Sequence, residues 1–382
     1  MKSSSFILFF GVILVLYALA HYYLYVRAIQ AFSPQLGVKR WITFIYLLLA
    51  SSFLAGMFLE RMFPSVFHEI LYKIGTCWLA FLLYFTLSLL LIDLLRIANH
   101  FFHFLPAFSQ QQKTIIGFIV IGFVSLLILM GYIHAKQIQI KHIPLSIAKE
   151  VEGKKEMRIL MASDIHLGAI IGRSWEEKFV RMVANEKPDL VLLCGDLIDG
   201  EIAPVIRKQL GKHIQDIASP LGVYAISGNH EYIGNINKSI NYLKSIHINV
   251  LQDTVLTLSN GLQLVGRKDL QSQYVEKDNE IKSLAELMKN IDHNKPVIVM
   301  KHQPYGLDEA VEAQVDLHLS GHTHHGQLFP INLITNALFE VSHGYLKKEN
   351  THFYVSSGFG SWGPSVRIGS QAEIVIFDIE FQ

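Results

Sequence analysis

The sequence has little cysteine and little charge. Cys77 and Cys194 are the two cysteines among 382 residues. Cys77 lies in an apolar run and Cys194 in a predicted buried strand, so we expect them not to pair, which excludes a disulfide-stabilised scaffold. Charged residues make up 17% of the chain and the formal net charge is +1. Without a stripe of Lys and Arg to follow a phosphate backbone, we expect no nucleic-acid partner.

Apolar residues are abundant and concentrate in the first third. Hydrophobic residues make up 51% of the chain, and the mean hydropathy is +0.32. A bilayer core of about 30 Å needs a helix of about 20 apolar residues. Four nearly uncharged segments have this length: 6–26, 41–59, 76–97 and 114–133. The first segment is longer than the apolar part of a usual signal peptide, so we expect it to be a membrane helix. The sequence therefore predicts an all-α region of four transmembrane helices over residues 1–135.

Charges near the ends of these segments bear on topology. Asp93 stands at helical spacing from Arg96, which favours a local ion pair over a proton relay. Four spans put both termini on one side of the membrane. Positive charges on the two sides nearly balance, and Arg27, Lys39 and Arg40 favour a cytoplasmic first connection. We therefore predict a multi-pass cell-membrane protein whose C-terminal part is extracytoplasmic.

The last two thirds have the pattern of an α/β domain. We expect a linker over 136–156 and a domain over 157–382 in which short apolar strands alternate with helical stretches. The predicted strands are 158–162, 190–194, 223–226, 254–258, 262–265, 297–300, 315–319, 353–356 and 373–378. The predicted helices are 175–185, 204–217, 237–245 and 285–291.

Asp, Asn and His follow five of these strands directly. They are Asp164, His166, Asp196, Asn229, His230, His302, His322 and His324. Open α/β sheets bind ligands at the carboxyl ends of their strands. Oxygen and nitrogen donors without a thiolate suit Mn²⁺, Fe or Zn²⁺ and argue against a structural zinc site. The pattern predicts a catalytic pair of divalent metal ions.

The same blocks resemble a known family. Asp-x-His, Gly-Asp, Gly-Asn-His-Glu, His and Gly-His-x-His follow one another in the order of the calcineurin-like metallophosphoesterases. The resemblance covers about residues 157–380. It is closest to the membrane-associated bacterial branch with a Gly-His-Thr-His-x-Gly-Gln motif. It implies a four-layer sandwich of two mixed sheets flanked by helices, here preceded by the four-helix transmembrane region.

The resemblance also implies roles for single residues. The implied ligands are Asp164, His166 and His324 for one ion, Asn229, His302 and His322 for the other, and Asp196 as a bridge. His230 would contact the phosphate and protonate the leaving group, with Glu231 orienting it. An imidazole suits this task because its pKa lies near neutral pH.

A few positions depart from the family pattern or leave alternatives open. His325 stands where the branch has Gly, and Ser357 where it often has Arg. Arg367 reaches a substrate phosphate or caps a loop. Trp362 faces lipid in one hypothesis, and Asp269 is left outside the metal site. His318 and His213 are expected to be structural histidines.

These observations predict a membrane-anchored dinuclear-metal phosphoesterase. It would hydrolyse a phosphodiester, phosphomonoester or pyrophosphate with a metal-bridging hydroxide. Anchoring favours a lipid-linked phosphoester substrate, such as a UDP-diacylglucosamine-type pyrophosphate. One alternative is a nuclease or cyclic-nucleotide phosphodiesterase, and the other is a non-catalytic phosphate-ligand sensor. The lack of a basic groove disfavours long nucleic acid, and the proton donor His230 disfavours a pure sensor.

Overall fold

The chain forms two compact units, Met1–Ile133 and His134–Gln382. The structure is a computed structural model and describes residues 3–32, 36–63, 65–276 and 281–382.

The first unit is all-α in the part of the chain that the structure describes. Its helices are α1 (Ser3–Phe32), α2 (Leu36–Met62), α3 (Val66–Phe102) and α4 (Gln110–Ala135). Each contains a stretch long and apolar enough to cross a membrane, with mean hydropathy between 1.6 and 2.6. The predicted four-helix region is therefore confirmed.

Polar contacts and close packing join these helices. Asp93 contacts Arg96 at 3.3 Å, as the spacing predicts, and also Arg27 of α1. Trp78 Nε1 donates to His21 Nε2 over 3.1 Å, which joins α3 to α1. At Gly75, an added Cβ would lie 2.3 Å from the Cα of a residue in α2, so α2 and α3 approach each other closely because this position has no side chain.

The second unit alternates strands and helices. Its strands are β1 (Gln139–Ile147), β2 (Glu156–Ala162), β3 (Leu190–Cys194), β4 (Val223–Ile226), β5 (Asn249–Leu251), β6 (Thr254–Thr257), β7 (Gln263–Gly266), β8 (Val297–Met300), β9 (Leu317–Ser320), β10 (Gly344–Lys348), β11 (Thr351–Val355) and β12 (Glu373–Phe381). Its helices are α5 (Arg173–Glu186), α6 (Ala203–Lys208), α7 (Asn229–Gly234), α8 (Ile236–Ser245), α9 (Ser272–Val275), α10 (Leu284–Met288), α11 (Asp308–Glu312) and α12 (Ile331–Leu338). Short 3₁₀ turns cover Lys212–Asp216 and His324–Gly326.

Two mixed sheets organise this unit. One has the strand order β1-β12-β2-β3-β4-β5 and the other β10-β11-β9-β8-β7-β6. In the first sheet β2, β3, β4 and β5 run parallel, while β12 is antiparallel to β2 and parallel to β1. In the second, β7, β8, β9 and β11 run parallel, with β6 and β10 antiparallel at the edges. The carboxyl ends of β2, β3, β4, β8 and β9 therefore carry the predicted ligands.

The side chains of the sheets alternate between separate cores. In β2, Ile159 and Met161 pack between the two sheets with Leu264 and Leu319, whereas Leu160 packs on the opposite face with residues of α5 and α8. The outer face of the second sheet packs against α10 and α11. The order is therefore helices, sheet, sheet, helices, which confirms the predicted fold class.

Two segments differ from the sequence-based expectation. Strand β1 lies within 136–156, which the sequence assigns to a linker, and it pairs with β12 along nine residues. The apolar positions Ile143, Leu145 and Ile147 alternate there and pack against the core between the sheets. The predicted helix 204–217 is interrupted, because Gln209 and Gly211 have φ of 52° and 91°, which ends the right-handed helix.

Candidate metal centre

Asp164, His166 and His324 form one buried group at the ends of β2 and β9. One nitrogen or oxygen atom of each lies within 4.8 Å of the others. His166 Nε2 and His324 Nε2 are 3.0 Å apart, and His324 Nε2 is 3.4 Å from Asp164 Oδ1. These are the residues that the sequence predicts for the first ion.

Asp196, His302 and His322 form a second group, at the ends of β3, β8 and β9. His302 Nε2 is 3.0 Å from Asp196 Oδ2. The side-chain oxygen of Asn229 lies 3.2 Å from His302 Nε2 and 2.9 Å from His322 Nδ1. The fold thus brings together the residues predicted for the second ion and the predicted bridge.

The chemistry of these donors fits a cation. His302 Nδ1 lies 2.8 Å from the carbonyl oxygen of Cys194 and donates its proton there, which leaves Nε2 as the free ring nitrogen. That nitrogen faces the Asp196 carboxylate and the Asn229 oxygen, and neither can donate a proton to it. A positive ion, either a proton or a metal ion, must therefore lie between them.

Electrostatics keeps some of the imidazoles able to bind a metal. Burial lowers the pKa of His322 to about 3. Burial also lowers the pKa of His324 well below its usual value. Both rings are then neutral near pH 7, which is the form that ligates metals.

The backbone at the site is unusual for residues with side chains. Positive φ values occur at Asp164 (53°), His166 (54°), Asp196 (51°), His322 (74°) and His324 (46°). Residues in this region cost conformational energy and cluster at functional sites. At Gly228, an added Cβ would lie 2.1 Å from Asp196 Oδ1, and at Gly321 it would lie 2.3 Å from Asp164 Oδ2. These carboxylates take their places because both neighbours are glycine.

A carboxylate not predicted from the sequence accompanies His230. Asp199 Oδ1 lies 3.0 Å from His230 Nδ1 and 3.5 Å from His166 Nδ1. Burial alone would lower the pKa of His230, but the carboxylates of Asp196 and Asp199 outweigh it and raise that pKa to about 9. Burial would raise the pKa of Asp199, yet hydrogen bonds from His166 and His230 lower it well below its usual value.

The orienting role predicted for Glu231 stays a prediction. Its two carboxylate oxygens accept hydrogen bonds from the backbone N–H groups of Ile198 and Gly228, at 2.9 and 2.7 Å. Glu231 thus ties the loop after β3 to the start of α7, while Asp199 holds the ring of His230. The signal in the sequence was a second Asp three residues after Asp196, in Gly-Asp-Leu-Ile-Asp.

The structure shows the surroundings of three residues whose roles the sequence leaves open. Arg367 is fully buried and donates to the carbonyl oxygens of Ser357, Gly358 and Gly360, the contacts of a residue that caps a loop. His325 has φ of 47°, a backbone conformation that favours glycine. Trp362 is 55% exposed.

Three other candidates lie outside the two ligand groups. Buried Asp269 accepts hydrogen bonds from Gln303 at 2.9 Å. His318 packs its ring on Phe353, 5.4 Å between centroids, and burial lowers its pKa to about 3. His213 lies near Arg173 at the surface.

Comparisons with known proteins give the same assignment. The profile of the calcineurin-like phosphoesterase family matches residues 157–326. An uncharacterized metallophosphoesterase of Aquifex aeolicus is 34% identical over 59% of this chain and 85% of its own length. One of Campylobacter jejuni is 28% identical over 98% of this chain and 99% of its own.

A further relative carries a membrane region in its name. A bovine transmembrane protein with metallophosphoesterase domain is 33% identical over 57% of this chain and 52% of its own length. The ligand blocks lie in the family's order at the strand ends, and the relatives are metallophosphoesterases. The chain therefore belongs to the calcineurin-like metallophosphoesterases and is a metal-dependent phosphoester hydrolase.

Proposed function

We propose that the protein is a membrane-anchored dinuclear phosphoesterase that hydrolyses a phosphodiester, phosphomonoester or pyrophosphate bond of a lipid-linked substrate. The observation that carries the proposal is the pairing of two buried ligand groups with His230 and Asp199 beside them. Residues 1–135 serve as the anchor, and the domain from residue 157 carries the hydrolytic site on the extracytoplasmic side.

The ligands divide between two ions in this proposal. Asp164, His166 and His324 would hold one ion, Asn229, His302 and His322 would hold the other, and Asp196 would be shared between the two. When bound, Mn²⁺, Fe or Zn²⁺ ions supply an acidified water as nucleophile and offset the charge on the phosphoryl oxygens.

His230 moves a proton in the reaction. Its Nδ1–H donates to Asp199, 3.0 Å away, which fixes the ring and leaves Nε2 as the atom that carries the transferable proton. A departing alkoxide needs such a proton donor. A protein that only binds a phosphate ligand has no use for it.

The anchor supports a substrate held in the membrane. An enzyme tethered to the bilayer meets lipid-borne substrate at a high effective concentration. A lipid-linked phosphodiester or pyrophosphate, such as a nucleotide joined to a diacylated sugar, is the substrate class that gains most from this arrangement.

A substrate screen with a metal-free starting state tests the proposal. The purified full chain in nanodiscs is stripped with a chelator, reloaded with Mn²⁺, Fe²⁺ or Zn²⁺ and assayed on a bis-aryl phosphodiester, phosphomonoesters and lipid pyrophosphates. We expect metal-dependent turnover that Asp196→Asn lowers at least about 10³-fold and that the surface variant Asp216→Asn retains. Metal binding without turnover on any of these esters would refute the proposal in favour of a sensor.

A further inference from the structure

Five large apolar side chains stand exposed beside the metal centre. We call them the apolar rim: Phe329, Leu333, Ile334, Leu338 and Trp362, each between 50% and 65% exposed. Three of them belong to helix α12, none of whose residues is buried. A contiguous exposed apolar patch is typical of a surface that meets another protein or a membrane.

Helix α12 is amphipathic in the reverse of the usual sense. At 100° per residue, Leu333, Ile334 and Leu338 share one arc, and all three are exposed. Asn332 and Thr335 lie on the opposite arc and are partly buried, and the exposed Asn336 accepts a hydrogen bond from the buried Ser342. The helix therefore turns its polar side to the protein and its apolar side outward.

Both ends of α12 are attached to the metal centre. At Gly326, two residues after His324, an added Cβ would lie 2.2 Å from the backbone nitrogen of Asn332, so the first turn of the helix packs directly on this loop. Immediately after the last turn, the ring of Phe339 lies 6.1 Å from that of His322. The apolar rim therefore has a fixed position next to two predicted metal ligands.

Trp362 is held in the same place by a reciprocal pair of hydrogen bonds. Gln327 Nε2 donates to the backbone carbonyl oxygen of Trp362 over 2.8 Å, and the backbone N–H of Trp362 donates to Gln327 Oε1 over 2.9 Å. Gln327 is 5% exposed, so its amide is a rigid support. The indole is thereby kept at the surface, where tryptophan suits the boundary between water and lipid.

The bilayer is the partner that fits this surface. Strand β1 begins four residues after α4 ends, and four extended residues span at most about 14 Å. The α/β unit therefore follows a predicted membrane-spanning helix closely in the chain, and this short connection keeps it near a lipid surface. An exposed helix with one apolar face is the kind of element that lies in the headgroup and acyl boundary.

We propose that the apolar rim inserts into the bilayer surface, so that a phosphoester carried by a lipid reaches the metal centre without leaving the membrane. The insertion follows from the exposed helix and from the short connection to α4. The passage of a lipid substrate rests in addition on the proposed function.

Quenching by brominated lipids tests the insertion. In full-length Cys77→Ser protein, an environment-sensitive fluorophore is placed at Leu333→Cys and, as control, at Ile206→Cys, a 50% exposed apolar position on α6. The vesicles contain phosphatidylcholine and phosphatidylglycerol with bromine on the acyl chains. We expect quenching at least about threefold stronger at position 333 than at 206. Equal quenching at the two positions, or none at 333, would overturn the insertion.

Kinetics with two substrates tests the passage of lipid. The triple variant Leu333→Ser, Ile334→Ser and Leu338→Ser should raise the apparent KM for a phosphodiester lipid in vesicles by about tenfold and change turnover of a water-soluble phosphodiester less than about twofold. Ile206→Ser should leave both substrates unaffected. An equal loss on both substrates would contradict the role of the rim. If the unaltered chain hydrolyses neither, the proposed function fails, and the quenching measurement still decides the insertion.

Discussion

At the scale of single residues, the position of the Asp196 carboxylate depends on the absence of a side chain at Gly228. Asp196 Oδ1 accepts a hydrogen bond from the backbone N–H of His230 at 2.8 Å and lies against the backbone of Gly228. The loop after β4 therefore positions the carboxylate that is predicted to bridge the two ions. Any side chain at residue 228 has to displace either the loop or the carboxylate.

Gly228→Ala should separate metal binding from folding. The added Cβ would lie 2.1 Å from Asp196 Oδ1, so we expect metal content and turnover to fall at least about tenfold. Gly172→Ala is the control, because an added Cβ there meets nothing within 4 Å. Metal analysis and phosphodiester turnover measure the effect. Unchanged values for Gly228→Ala would show that Asp196 does not need its present position.

Asp199→Asn should change how activity depends on pH. Removing the carboxylate lowers the pKa of His230, because a negative charge that stabilises the imidazolium is lost. Activity that needs the protonated ring should then be lost at a lower pH, so the alkaline limb of the kcat–pH profile should shift to lower pH. We expect a fall in kcat of about 10- to 100-fold at neutral pH.

The matched control for that measurement is Glu231→Gln. Its amide keeps one acceptor for the backbone N–H groups of Ile198 and Gly228, so we expect a loss of stability. The alkaline limb should shift less than in Asp199→Asn, because Glu231 raises the pKa of His230 less than Asp199 does. If the two variants shift the limb equally, Asp199 has no special role toward His230.

The site residues differ in how well sequence predicts them. Asp164 and His302 follow apolar strands directly, and a strand fixes where the next side chain lies. Asp199 lies five residues beyond β3, in a loop whose path depends on contacts with α7, so strand periodicity does not place it. Glu231 is adjacent to His230 in the chain, and α7 turns its carboxylate toward the backbone N–H groups of Ile198 and Gly228, contacts that adjacency in sequence does not reveal.

At the scale of elements, strand β1 was not predicted from the sequence. Its attachment to β12 depends in part on Glu373. Glu373 of β12 is fully buried and accepts hydrogen bonds from Tyr354 and from the backbone of Ser357 at 3.1 and 2.9 Å. Its second oxygen lies 2.6 Å from Lys141 of β1. Pro144 within the strand and the transmembrane helix just before it obscure the alternating pattern. Helix α12 was not predicted because its eight residues are too few to show a clear helical period.

Glu373→Gln should weaken the α/β unit in a pH-dependent way. Burial would raise the pKa of Glu373, but His343 and Lys141 outweigh it and lower the pKa to about 2. A carboxylate with a lowered pKa stabilises the fold above its unfolded value of about 4.3, and this stabilisation is lost as the pH falls toward 2. We expect a loss of about 3 kcal/mol at pH 7 that shrinks below pH 4.

Thermal unfolding of the full chain in nanodiscs, followed between pH 3 and pH 7, measures this difference. Glu380→Gln removes an exposed carboxylate from the same strand and should have little effect at any pH. A constant difference between Glu373→Gln and the unaltered protein over this range would contradict the explanation.

In the first unit, Gly75→Ala should loosen the pair of helices α2 and α3. An added Cβ would lie 2.3 Å from the Cα of Phe53, and backbone cannot move aside as a flexible side chain can. We expect a lower thermal midpoint in nanodiscs. Gly122→Ala on α4, where an added Cβ meets nothing within 4 Å, is the control and should be neutral.

At the scale of the whole molecule, metal ions should act as a stabilising ligand of one unit. Chelation should abolish turnover and lower the midpoint of the α/β transition, because ions that bind the folded state at 100 times their Kd stabilise it by about 2.7 kcal/mol. Differential scanning calorimetry with and without Mn²⁺ measures the shift. The Asp196→Asn variant should show a much smaller one, and an equal shift would mean that the ions bind elsewhere.

The position of β1 decides where the chain can be cut. A water-soluble fragment that starts at residue 157 would lose this strand, and the nine-residue β12 would become an open edge with unpaired backbone groups. Such an edge recruits strands from other copies, and Glu373 would keep its burial but lose the ammonium of Lys141. A fragment that starts at residue 137 retains both, so it should stay monodisperse where the shorter one aggregates.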